Sequence, residues 1–166
     1  MMCMVIWRLA PKIHEKIRRV VFPMKLQVFL YTKFGYAQAI ADELSQMFKC
    51  KCDHIPPAYQ CNKEKLIFIV YEKYGKLDKK LVSYLKEMDT NKVLNVSLIE
   101  ISNTGNEGVE ELSAMLKANK VNISGVHNIS VKRSLFSKGQ LTDEDMAGAK
   151  AFADQQGKAN FDFLNR

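Results

Sequence analysis

Six consecutive apolar residues, Leu66 to Tyr71 (LIFIVY), constrain this chain more than any other feature. A strand with one wet face alternates apolar and polar side chains, so a strand that is apolar at every position needs cover on both faces. A parallel sheet between two helical layers provides that cover. The flanking sequence supplies the layers. Leu26 to Tyr31 (LQVFLY) reads as a first strand, and Ala37 to Phe48 sets Ala37, Ile40, Ala41, Leu44, Met47 and Phe48 on one face of a helix. Cys50 to Ile55 alternates and reads as a half-buried strand, stopped by Pro56-Pro57. Leu77 to Met88 reads as a second helix, Val93 to Ile101 as a fourth strand, and Glu107 to Asn119 as a third helix with Val109, Leu112, Met115 and Leu116 inward. Val121 to Ile129 makes a fifth strand. Thr142-Asp143-Glu144-Asp145 then opens a last helix, with a hydroxyl at the cap and acids that complement the helix dipole.

Five strands alternating with four helices imply parallel pairing through right-handed crossovers, which gives an α/β three-layer sandwich. The half-polar second strand belongs at an edge and the all-apolar third at the centre. The sequence therefore predicts the order 2-1-3-4-5 among doubly wound sheets. At 166 residues the chain has room for one ordinary domain.

Charge divides the chain in two. Residues 1–23 hold five basic side chains against one acidic (+4), and the remainder holds 20 against 17 (+3). The first segment, with apolar residues near helical spacing broken by Pro11 and ended by Pro23, is expected to be a leader outside the core domain, which spans residues 24–166. Its plain reading is an upstream extension before a start at Met24; its functional reading is peripheral contact with an anionic membrane surface. A +3 domain lacks the basic footprint of a nucleic-acid binder. No apolar run reaches the ~18–20 residues of a transmembrane helix. Four cysteines and no secretory signal pattern point to a reducing, cytoplasmic setting.

In an open parallel sheet, ligands bind beyond the carboxyl ends of the strands. The loops there are Thr32 to Gln38, Glu72 to Lys76 and Ser102 to Gly108, each with a glycine. The first opens a helix, whose free N–H groups and dipole favour an anion. No GxGxxG or GxxxxGK[ST] pattern is present.

The run VFLYTKFGYAQAIADEL resembles the first strand, phosphate loop and first helix of flavodoxins. LIFIVYEKYGKLDKKLVSYLKEM resembles their third strand and flavin loop, VLNVSLIEISNTGNEGVEELSAML their fourth strand and second flavin loop, and LTDEDMAGAKAFADQ their closing helix. The resemblance covers Lys25 to Gln156 and implies non-covalent FMN and electron transfer to or within a partner reductase. It further implies cofactor contacts from Thr32, Lys33, Phe34, Gly35, Tyr36 and Ala37, from Glu72, Lys73, Tyr74 and Gly75, and from Ser102, Asn103, Thr104 and Gly105. Tyr74 would cover one flavin face. Where the family's loop reads roughly S/T-x-T-G-x-T, this chain has Thr32-Lys33-Phe34-Gly35-Tyr36-Ala37, two hydroxyls fewer. Each lost bond to a charged phosphate is worth about 1.5–3 kcal/mol. Two further readings stand beside the electron carrier: a flavin-free accessory or binding module of a redox enzyme, and an FMN-dependent oxidoreductase acting on a quinone or porphyrin-type substrate.

Other clusters read as structural. Cys50, Cys52, His54 and Cys61 resemble a zinc set, but alternate residues of one strand sit ~6.5–7 Å apart, awkward for a tetrahedral ion. No serine or cysteine nucleophile occupies a recognisable elbow beside His14, His54 or His127. Deleting residues 1–23 is expected to leave solubility and thermal midpoint unchanged; loss of folding on deletion would move the domain boundary.

Overall fold

The computed structural model describes residues 25–104, 107–134 and 136–165, so the leader lies outside the described residues. Its elements follow in the order β1 (Leu26–Tyr31), α1 (Tyr36–Phe48), β2 (Lys51–His54), β3 (Glu64–Lys73), α2 (Lys79–Lys86), β4 (Val93–Ser102), α3 (Glu107–Ala118), β5 (Asn122–Ser130) and α4 (Asp143–Asn160), closed by a 3-10 turn over Asp162–Asn165. The five strands form one sheet of order β2-β1-β3-β4-β5, and every pairing is parallel. This is the order read from the sequence.

The alternation of side chains along β3 divides the core in two. Leu66, Phe68 and Val70 face the layer of α1 and α4, where they meet Ile40, Leu44, Phe48, Ala149 and Ala153. Ile67, Ile69 and Tyr71 face the layer of α2 and α3, where they meet Leu81, Leu85, Leu112 and Leu116. All six residues of the apolar run are fully buried. On the first face the Phe48 and Phe68 rings stack with centroids 5.6 Å apart.

Several expectations need adjustment. β3 runs two residues further at each end than its apolar stretch, so Glu72 and Lys73, expected in a loop, end the strand; Ser102 likewise ends β4. Continued pairing explains the extension, since Glu72 lies opposite Ile101 and Lys73 opposite Ser102. α2 starts at Lys79, because the Asp78 side chain caps it by accepting from the Lys80 N–H. Met47, expected inward, is exposed. α4 begins as expected: the Thr142 hydroxyl accepts from the Asp145 N–H, and the Asp145 carboxylate accepts from the Thr142 N–H, a complete capping box.

Cys50 and Cys52 pack against the α1/α4 core, Cys61 belongs to the opposite core, and His54 is exposed. Burial raises the thiols of Cys50 and Cys52 to about 12 and about 11. Among the described residues no three metal-ligating side chains converge. No helix there is long and apolar enough to cross a membrane.

His127 on β5 stacks on Phe152 of α4, and burial lowers its pKa, against a smaller upward pull from Asp145. A histidine pKa depressed on folding makes the native state harder to protonate than the unfolded chain. Stability is therefore full above the unfolded value, near 6.5, and falls as pH drops through it towards the folded value. Urea midpoints measured from pH 8 to 5 should show this fall, and His127→Gln should remove that part of it.

Candidate functional site

The parallel register of β1 and β3 builds the site. Tyr31 lies opposite Tyr71, so Thr32, just past the end of β1, comes to lie beside Glu72, which β3 still pairs with β4. From Thr32 the chain turns into α1 through Gly35, whose φ of 94° is a left-handed conformation that glycine adopts without strain. This turn directs successive N–H groups into one hollow at the helix N-terminus, where the dipole adds to their pull on an anion.

An anion of the chain itself occupies the hollow. The Glu72 carboxylate, only 4% exposed, accepts from the Lys33 and Phe34 N–H groups at Oε2, each at 2.8 Å. Its Oε1 accepts from the Ala37 N–H at 2.9 Å and from the Thr32 hydroxyl at 2.6 Å. The Thr32 hydroxyl in turn accepts from the Gly35 N–H at 2.8 Å. The loop expected to cradle a phosphate thus has its donors, and they hold a carboxylate.

A second group packs against the aromatic side chains of this loop. The Arg133 guanidinium, from the segment after β5, lies 3.6 Å from the Phe34 ring centroid and near 6 Å from those of Tyr36 and Tyr74. It donates to the Tyr36 hydroxyl at 3.0 Å, which itself donates to the Gly139 carbonyl at 2.6 Å. The Tyr74 hydroxyl donates to the Val131 carbonyl, and its ring meets Phe34 edge-on. Burial, with the nearby Tyr36 and Glu72, pushes the Tyr74 phenol up to about 12, so it stays a neutral donor at physiological pH. Cation–π contacts of this kind contribute about 0.5–2 kcal/mol.

The third loop is tied to the same segment. The Asn103 carboxamide oxygen accepts from the Arg133 N–H at 2.7 Å, and its carbonyl accepts from the Ser130 hydroxyl. Ser102 is buried, and its carbonyl accepts from the Val131 N–H. Thr104 is exposed; Gly105 lies outside the described residues. Gly75 has a φ of 89° and open space around it, which suits a turn. Lys33 forms a partly exposed ion pair with Asp78 at 3.6 Å.

The remaining helix starts at this end of the sheet follow the same rule. Fully buried Glu100 accepts from the Tyr71 hydroxyl and from the Gly108 N–H at the start of α3. Asp78 caps α2 and Thr142 caps α4. Sequence reasoning placed Glu72 among the cofactor contacts without assigning it the acceptor's part, and it missed Arg133 and Glu100. One signal was available for Glu72: an acid directly after a buried strand, beside a loop two hydroxyls short.

The fit to FMN follows from this geometry. A phosphate would have to enter a hollow whose converging donors already serve a carboxylate. Two such anions ~4 Å apart repel by about 4 kcal/mol at an effective dielectric of 20. With Glu72 in place, the residues do not fit the phosphate of FMN.

Among solved structures, the chain is similar to a Streptococcus pneumoniae TIGR4 flavodoxin (11% identity, TM-score 0.57, covering 81% of this chain and 98% of that one). It is also similar to the two-electron reduced flavodoxin of Megasphaera elsdenii (12% identity, TM-score 0.60, 80% and 98% covered). A third is oxidised flavodoxin 2 from Bacillus cereus (12% identity, TM-score 0.55, 81% and 98% covered). No family model and no curated protein matches the sequence. At these identities the likeness shows the fold, which is flavodoxin-like.

Glu72→Gln keeps the side chain's size but turns an NH2 group towards N–H donors. With two donors losing their acceptor, it should destabilise the domain by about 2–4 kcal/mol in urea unfolding. A change below ~0.5 kcal/mol would mean that the carboxylate does not hold the loop.

Proposed function

We propose that this flavodoxin-like chain is a flavin-free binding module, an accessory to a redox enzyme, that uses the loop end of its sheet for protein contact. The observation that carries this reading is the Glu72 carboxylate in the hollow where the fold would receive a phosphate. The stack of Arg133 on Phe34 supports it, because a planar cation of the chain lies against an aromatic expected at the cofactor. The three described cysteines are free thiols, which suits a cytoplasmic setting.

A second reading is supported by the solved neighbours, which are flavodoxins: FMN-dependent electron transfer with a partner reductase. FMN would supply the redox chemistry there, and the protein would bind and orient it. This reading requires Glu72 to leave the hollow, as does a quinone- or porphyrin-directed oxidoreductase.

The purified chain should carry no visible flavin absorbance, and it should not quench FMN fluorescence up to high micromolar concentrations. Glu72→Ala should empty the hollow, so that inorganic phosphate raises the variant's thermal midpoint and leaves that of the wild type unchanged. Saturable flavin binding by the wild type at low micromolar FMN would return the electron-carrier reading to first place.

A further inference from the structure

The segment joining β5 to α4, residues 131–141, carries Lys132, Arg133 and Lys138 and no acidic residue. Its tip is a bridged turn. The Ser134 N–H donates to the Ser137 carbonyl at 3.1 Å and the Ser137 N–H donates back at 3.4 Å, while the Phe136 N–H donates to the Ser134 hydroxyl. The turn holds Phe136 out from the protein at 98% exposure.

Three attachments keep this segment from being a free tail. Asn103 holds the Arg133 N–H, Tyr74 donates to the Val131 carbonyl, and Tyr36 donates to the Gly139 carbonyl. The aromatic ring is therefore presented on a braced support, which lowers the ordering cost of association. Beside it lies a cleft of about 390 Å³ lined by Asn103, Lys132, Arg133, Ser134 and Ser137, with the Lys132 ammonium at its edge as the cation open to a partner's carboxylate.

We infer that this turn is a docking element for an acidic protein segment, with Phe136 filling an apolar recess of the partner while Lys132 and Lys138 pair with carboxylates on either side of it. The inference rests on the loop end of the sheet being a protein-contact surface. Charge decides the occupant. Exposed Asp143 and Glu144 open α4 just beyond the turn, so a broad anionic plane, whether a lipid surface or a nucleic-acid backbone, would be opposed by them. A narrow acidic segment contacts the turn and its cleft alone. An exposed phenylalanine is also of the aromatic kind that protein interfaces favour over the rest of the surface.

The test uses the full chain and a short fluorescein-labelled peptide of glutamates around a central leucine and phenylalanine, read by anisotropy. The peptide should bind and weaken as salt rises, and a control with glutamine for glutamate should not bind. Phe136→Ser should weaken binding about tenfold, and Lys132→Glu with Lys138→Glu should weaken it further. All three side chains are exposed, so thermal midpoints should stay at the wild-type value. The inference falls if the peptide fails to bind at millimolar protein, or if the variants bind as well as the wild type. It falls also if phosphatidylserine vesicles or single-stranded DNA are bound more tightly than the peptide. FMN titration of the same preparation separates the two readings: flavin binding overturns the flavin-free module, whereas peptide results decide the docking turn.

Discussion

The four hydrogen bonds to Glu72 are the interaction on which the loop end of this molecule depends. A strand-to-helix turn of this shape points several N–H groups at one spot, and buried donors without an acceptor cost about 1–3 kcal/mol each. An acceptor must therefore be present for the turn to persist. β3 supplies it, because parallel pairing with β1 sets Glu72, near the end of its strand, beside Thr32. Loop conformation, helix start and sheet register are consequently one arrangement, and α1 inherits an anion at its positive end.

Arg133 extends the arrangement outward. Its guanidinium rests on Phe34, whose N–H group is itself bound to Glu72, and its N–H is held by Asn103 from the end of β4. The first, third and last loops of this end of the sheet are thus linked through groups belonging to the chain. Glu100 contributes differently. Fully buried, it spends one oxygen on Tyr71 and Gly108, and its Oε1 has no hydrogen-bond partner among the described groups. An added Cβ at Gly108 would lie 2.7 Å from the Glu100 carboxylate and 2.6 Å from the Lys73 side chain, so only glycine allows α3 to start so close to both.

The sheet was legible because its determinants are local in sequence. Continuous apolarity from Leu66 to Tyr71 demands two-sided cover, alternation in Cys50 to Ile55 demands an edge, and Thr142 with Asp145 specifies a helix start. The site was legible only in its location. That Thr32, Gly35 and Ala37 surround an anion follows from chain geometry, but which anion depends on Glu72, 40 residues away in sequence from the Thr32 hydroxyl that binds it. Arg133 was harder still. Nothing in its own segment announces an aromatic partner, and the contact exists only once the sheet has brought residues 34 and 133 together.

Replacing a soluble anion by a tethered one changes how the loop behaves. A bound phosphate stabilises its site by an amount that grows with ligand concentration and vanishes when the ligand is absent. A carboxylate on the neighbouring strand incurs no translational cost of capture and is present at every ligand concentration. While Glu72 holds these donors, the turn from Thr32 to Ala37 keeps its shape without a soluble ligand. A surface that does not vary with cofactor loading is suited to steady recognition of another protein. On the flavin-free reading, one glutamate makes a fixed platform of a loop end that a ligand could otherwise switch.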